Sequence, residues 1–199
     1  MLVITGNIGS GKSTVISLLK KTQEFKDFNF YSYDNISNNI LIEKHLEVQE
    51  LFNLPEQEYP YFKKTLSNLF FGDKTVKKRL ENFMLPLIEA EIKTLPLDKT
   101  IIEIPIFFEQ RTIRTSDLYK TAKILLVVAD KETKIKRIQT RNPHLTIPLI
   151  EERIKNQNSD DFNLMNYKVD YVMTNNLKLE DIENTVNALA QTIKDDYGI

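Results

Sequence analysis

Short apolar runs alternate along this chain with longer stretches in which apolar residues recur every three or four positions. Runs of the first kind read as buried strands and stretches of the second as helices packed on them. Their alternation predicts βαβ units and a parallel sheet. "LVIT" (2–5) predicts the first strand and "KSTVISLLKK" (12–21) the helix after it, while "FNFYSYD" (28–34) predicts a second strand ending at an acid, Asp34. Residues 36–97 lack β-branched runs and read as an inserted group of helices with breaks at Pro55, Pro60, Gly72 and Pro86. The strand pattern returns at "TIIEIP" (100–105), "KILLVVA" (123–129) and "VDYVMT" (169–174). Between the last two, "DKETKIKRIQTR" (130–141) predicts a helix capped by Asp130. "TIPLIEERIKNQ" (146–157) predicts another, with Pro148 in its first turn, where a missing N–H costs little. "KLEDIENTVNALAQTIKDD" (178–196) closes the chain as an amphipathic helix. The expectation is α/β: five strands in a βα rhythm with one helical insertion.

Composition narrows the class. A chain of 199 residues fits one domain with a small lobe, 1–199, and can bury a core without staples. It has no cysteine, which excludes a disulfide framework and a Cys-based zinc site. With 27 basic against 28 acidic residues the net charge is −1, which gives no general pull toward nucleic acid or anionic membrane. The longest apolar run, "AKILLVVA" (122–129), falls far short of the roughly 20 residues of a membrane helix. A glycine loop from residue 6 is expected to leave no room for a signal peptide. These totals predict a cytoplasmic α/β protein with neither nucleic acid nor membrane as partner; a small-molecule partner and a monomer or weak homo-oligomer are further expectations that composition does not supply.

Only five glycines occur, and three of them, Gly6, Gly9 and Gly11, fall in one stretch, "TGNIGSGKST". Gly6-Asn7-Ile8-Gly9-Ser10-Gly11-Lys12-Ser13 fits G-x-x-x-x-G-K-[ST] without a mismatch, and Thr14 follows it into the helix. Glycine lets a backbone take positive φ and bring its N–H groups close to phosphate oxygens, and the start of the following helix adds to the anion site. Lys12 is expected to reach β- and γ-phosphates and the Ser13 hydroxyl to ligate Mg²⁺, so the cofactors implied by the loop are a nucleoside triphosphate and Mg²⁺. The loop does not say what receives the phosphate. No guanine-reading N-K-x-D is present, the nearest string being "VADKET" (128–133).

In doubly wound sheets ligands sit at the carboxyl ends of strands, so acids there are the first candidates. Asp34 has three open readings: a base for an acceptor hydroxyl, a holder of a Mg²⁺ water, or a helix N-cap. Glu103 is either a metal-directed acid or a strand-end carboxylate in a polar network. Glu109 is the weaker acid and reads more readily as a cap. Arg137 and Arg141 stand i and i+4, on one helix face, where forked donors suit the charge of a transferring phosphoryl group.

Together these segments resemble the dephospho-CoA kinase family nearly end to end. "TGNIGSGKST" is similar to its "TGGIGSGKST", with Asn7 for a glycine. "YSYDNIS" resembles its D-A-D segment, with Ser32 for the first acid and Asp34 keeping the second. "IIEIPIFFE", "ETKIKRIQTR", "RIKNQ" and "DYVMTNN" resemble its later motifs in order. The resemblance implies a P-loop kinase three-layer fold with a five-stranded parallel sheet, a helical acceptor-binding insertion at 36–97 and a small mobile lid at 141–160. It implies phosphorylation of the ribose 3′-hydroxyl of dephospho-CoA, the last step of CoA synthesis. Asp34 would be the catalytic base, Arg137 and Arg141 phosphate-facing arginines, and Asn175 the contact to the ATP adenine. The chain departs from the family where Leu85 replaces a histidine before Pro86, and where Lys63 and Ser67 replace arginines. Those departures leave open the same scaffold acting on another acceptor, such as a nucleoside monophosphate.

Overall fold

The computed structural model describes residues 1–105, 107–108, 113, 115–156, 168–176 and 179–197. It divides into two compact units, one made of Met1–Tyr31 with Leu97–Ile199 and one of Ser32–Pro96. Glu109 and the last part of the expected lid, 157–160, lie outside the described residues.

The larger unit is built on a five-stranded parallel sheet. Its strands are β1 (Leu2–Thr5), β2 (Asn29–Ser32), β3 (Thr100–Glu103), β4 (Lys123–Val128) and β5 (Tyr171–Thr174), in the order β2-β3-β1-β4-β5. The register pairs Ile4 with Glu103 and with Leu125, so β1, β3 and β4 end together on one edge. Parallel strands are buried on both faces, which is why their sequences are runs rather than alternations. On one face Leu2, Ile4, Leu125, Val127 and Met173 pack against helix α1 (Lys12–Leu19) and the C-terminal helix α8 (Leu179–Tyr197), through Val15, Leu19, Val186 and Ile193. On the other face Val3, Ile102, Ile124 and Leu126 are just as buried. At the edge, β5 alternates instead, and its Val172 is 53% exposed. Strand order turns back at β1, which makes its carboxyl end the crevice where such sheets take ligands.

Two further helices, α6 (Lys131–Arg141) and α7 (Ile147–Asn156), carry their own small core of Ile138, Leu145, Ile150 and Ile154. Ile8 packs against it from the glycine loop. Asp130 caps α6 as expected, its Oδ1 accepting from Thr133 N at 2.7 Å.

The smaller unit contains α2 (Tyr33–Glu43), α3 (His45–Leu51), α4 (Tyr59–Gly72) and α5 (Lys74–Lys93) around Val48, Phe62 and Leu66. Buried Gln49 secures the α3–α4 connection, donating to Gln57 O at 3.0 Å and accepting from Gln57 N at 2.8 Å. Gly72 ends α4 and Pro60 sits in its first turn. Two expectations need correcting. The second strand stops at Ser32, two residues short of Asp34, because the Ser32 hydroxyl accepts from Asn35 N at 3.4 Å and starts α2 there. Pro86 does not break α5, which runs through it. The ring forgoes one backbone hydrogen bond, while Met84, Ile88 and Ile92 on either side bury their side chains and keep the helix whole.

Candidate active site

The glycine loop leaves β1 and enters α1 with positive φ at Gly6 (147°), Gly9 (78°) and Gly11 (88°). Space as well as torsion demands glycine at the two ends. A Cβ on Gly6 would collide with the Val127 carbonyl oxygen, and one on Gly11 with Asn175 Nδ2. Gly11 serves as N-cap of α1, which has no side-chain cap and no acid in its first turn. The first N–H groups of a helix lack intrahelical partners, so this end suits an anion. Lys12 folds back on the loop: its Nζ donates to Gly6 O at 2.7 Å and to Asn7 O at 3.2 Å.

Beside the loop lies a cleft of about 670 Å³. One wall is Gly9, Gly11, Ser13 and Thr14; the other is the α6 face of Thr133, Lys136, Arg137, Thr140 and Arg141, closed by Asn176. Among the described residues three cationic side chains and no carboxylate line it, so its field favours a polyanion. The i, i+4 pair behaves as expected in facing one way, but its members differ. Arg137 Nη1 donates to Gly9 O (3.4 Å) and Ser10 O (3.3 Å), and its Nη2 to Asn175 Oδ1 (3.1 Å). Partial burial lowers its pKa, against the opposing pull of Asp130. Arg141 is exposed and makes no hydrogen bond or ion pair to a described residue.

Asn175 is fully buried, with Nδ2 donating to Ser10 O at 2.9 Å. The side chain that faces the cleft after β5 is Asn176, whose Oδ1 accepts from Asp130 N at 2.8 Å. Ser13 is exposed at the cleft; Glu103 ends β3, half-buried, on the same sheet edge as the loop. Asp34 is an exposed residue in the first turn of α2, in the smaller unit. Its neighbour Tyr33 is buried, and burial together with Glu89, Asp34 and Glu81 pushes its pKa well up. In the same unit Lys63 Nζ donates to Asn38 Oδ1 at 2.9 Å, and Tyr59 OH to the same oxygen at 3.2 Å.

One residue escaped the sequence reading. Lys134 is only 2% exposed, with its backbone against Gly9, and lines a small void beneath the loop with Asn7 and Ser10. The signal was there: it stands four residues before Ile138, on the buried stripe of α6. Ser10, expected among the nucleotide-binding residues of the loop, has its Oγ buried without a hydrogen-bond partner among the described residues.

Comparison with known proteins adds the chemistry that geometry alone leaves open. The model of the dephospho-CoA kinase family matches residues 1–181. A dephospho-CoA kinase of Wolinella succinogenes is 33% identical over all of this chain and 96% of its own length. The solved structure of the dephospho-CoA kinase from Campylobacter jejuni superposes with a TM-score of 0.69 at 27% identity, covering 98% of this chain and 97% of that one. A shikimate kinase from Acinetobacter baumannii shares the fold at a TM-score of 0.55 and 15% identity, over 96% and 89% of the two chains.

Proposed function

The chain belongs to the dephospho-CoA kinase family, and from that premise we propose that it transfers the γ-phosphoryl group of ATP to the ribose 3′-hydroxyl of dephospho-CoA. The observation that carries the donor half is the cleft, where an uncapped helix N-terminus faces Arg137 and Arg141 on one wall of α6.

The triphosphate lies along the loop, held by backbone N–H groups of Gly9, Gly11, Lys12 and Ser13, since those of Ser10 and Thr14 already bond Asn7 O and Gly11 O, and the nucleoside along Thr133, Thr140 and Asn176. Lys12 exchanges its bonds to the Gly6 and Asn7 carbonyls for bonds to β- and γ-phosphate oxygens. Arg141, whose side chain has no hydrogen-bond or ion-pair partner among the described residues, meets the charge on the γ-phosphoryl oxygens, while Arg137 stays anchored to the loop. Asp34 takes the proton of the 3′-hydroxyl as that oxygen forms its bond to phosphorus, and the bond from phosphorus to the β,γ-bridging oxygen breaks, releasing ADP.

Ser13 and Glu103 offer a hydroxyl and a carboxylate, hard oxygen donors that fit Mg²⁺. Among the described residues no group of three or more Asp, Glu, His or Cys could hold a metal, and Ser13 with Glu103 would supply the protein oxygens of the site. When bound, the ion would supply positive charge that offsets that of the phosphates.

An acceptor panel tests this reading: ATP with dephospho-CoA and each nucleoside monophosphate, products read by mass spectrometry. CoA as the main product is expected. Faster phosphorylation of any monophosphate overturns the assignment in favour of another acceptor, the reading that Leu85 leaves open.

A further inference from the structure

Asn175 follows the last strand, on the sheet edge where the loop emerges, and every polar atom of its side chain is engaged. Its Nδ2 donates to Ser10 O at 2.9 Å, its Oδ1 accepts from Arg137 Nη2 at 3.1 Å, and its backbone N–H donates to Val128 O at 2.7 Å. The orientation of the amide is fixed by its partners. A carbonyl can only accept and a guanidinium can only donate, so a flipped amide would lose both bonds. The residue is 0% exposed, which keeps a bound nucleobase from its side chain. Its approach to Ser10 is possible only because Gly11 has no Cβ, which would strike Nδ2. Asn176, next in the chain, is the one that lines the cleft.

We propose that Asn175 is a positioning residue for the triphosphate rather than a reader of the base: it fixes the Ser10 turn of the phosphate loop and the rotamer of Arg137 together. The side chain matches three requirements at once. Aspartate keeps the acceptor for Arg137 but sets a carboxylate against the Ser10 carbonyl; alanine leaves both partners short of a bond; glutamine is too long for a space that already demands glycine at position 11. The Arg137 guanidinium bridges the same structure from the other side through Gly9 O and Ser10 O. Loop and arginine are thus set by one amide at the end of β5. This inference rests on the reading that the loop holds the donor's phosphates.

Inorganic tripolyphosphate, which carries the phosphates without a base, separates the two roles. Asn175→Ala and Asn175→Asp are compared with wild type for the KM of ATP, the Kd of ADP and the Ki of Mg²⁺–tripolyphosphate, with Tm followed in parallel. The expected result is that all three constants rise by the same factor, about tenfold for a hydrogen bond made to a charged or tightly held group. The KM for dephospho-CoA stays within about twofold of wild type, and Asn175→Asp still weakens ADP binding in an Arg137→Ala background, because its carboxylate faces the Ser10 carbonyl with or without the arginine. A tripolyphosphate Ki equal to wild type beside weakened ADP binding overturns the proposal in favour of a base contact. Unchanged constants in both variants overturn it outright. Should Asn175→Ala unfold, the isosteric Asn175→Asp carries the same comparison. No acceptor enters the tripolyphosphate and ADP measurements, so their outcome is separate from whether the wild-type protein makes CoA.

Discussion

Lys12 Nζ lies 2.7 Å from the carbonyl oxygen of Gly6, the residue that opens the same loop. A six-residue span is closed by one ammonium, so the charge is stored at the loop and needs only side-chain rotation to meet a phosphate. Lys12→Met keeps the length of the stem and removes the charge. It is expected to lower kcat by about 10²-fold or more, the scale of losing one preorganised donor to transition-state charge. Tm should move little. Steady-state kinetics with saturating ATP check this, and a kcat within threefold of wild type contradicts it.

Gly11→Ala meets two obstacles together, a φ of 88° and a Cβ driven into Asn175 Nδ2. The strained torsion alone costs about 1–3 kcal/mol. In a chain of this length that lowers Tm by several degrees, and the displaced Asn175 should weaken ADP binding as well. Calorimetric unfolding with and without ADP reads both effects. Full ADP affinity in the variant contradicts the fit of Gly11 to Asn175.

Arg137 and Arg141 share a helix face but not a set of partners. Arg141→Ala is expected to reduce kcat by at least about tenfold while leaving Tm unchanged, because Arg141 makes no hydrogen bond or ion pair to a described residue. Arg137→Ala releases Gly9 O, Ser10 O and Asn175 Oδ1 and should lower both kcat and Tm. Equal Tm losses in the two variants contradict this division of labour.

Asp130 tests the start of α6. Hydrogen bonds from Thr133 hold its carboxyl below its ordinary pKa of 3.8, so the carboxylate is favoured by folding. A depressed folded pKa contributes stability above the unfolded value, and that stability is lost as pH falls through the folded one. Asp130→Ala should therefore lower Tm by about 2–4 °C at neutral pH. The gap between wild type and variant should close as pH drops below 3.8. A gap that persists undiminished at lower pH contradicts the cap assignment.

Much of this was legible in the chain. The strand runs, the loop with its three glycines and the Asp130 cap are local patterns whose physics acts over a few residues. What was not legible depends on partners far away in sequence. Asn175 reads as a polar residue after a strand, and only the fold places Ser10 O, 165 residues earlier, within its reach. Lys134 differs: its spacing from Ile138 marks the buried stripe of α6 within the sequence, but only the fold shows that this stripe lies under the loop. The end of β2 was misjudged because "FYSYD" has strand propensity throughout, while one serine hydroxyl at position 32 decides where the helix begins. Pro86 misled for the opposite reason, since flanking buried residues outweigh one missing hydrogen bond.

The central claim is that Asp34 activates the 3′-hydroxyl of dephospho-CoA. Steady-state turnover of ATP and dephospho-CoA by wild type and Asp34→Asn, with CoA quantified directly, tests it most simply. CoA formed one-for-one with ADP by wild type is expected, with kcat at least about 10²-fold lower in Asp34→Asn and the KM for ATP unchanged. No CoA from wild type, or an Asp34→Asn variant indistinguishable from it, would contradict the account.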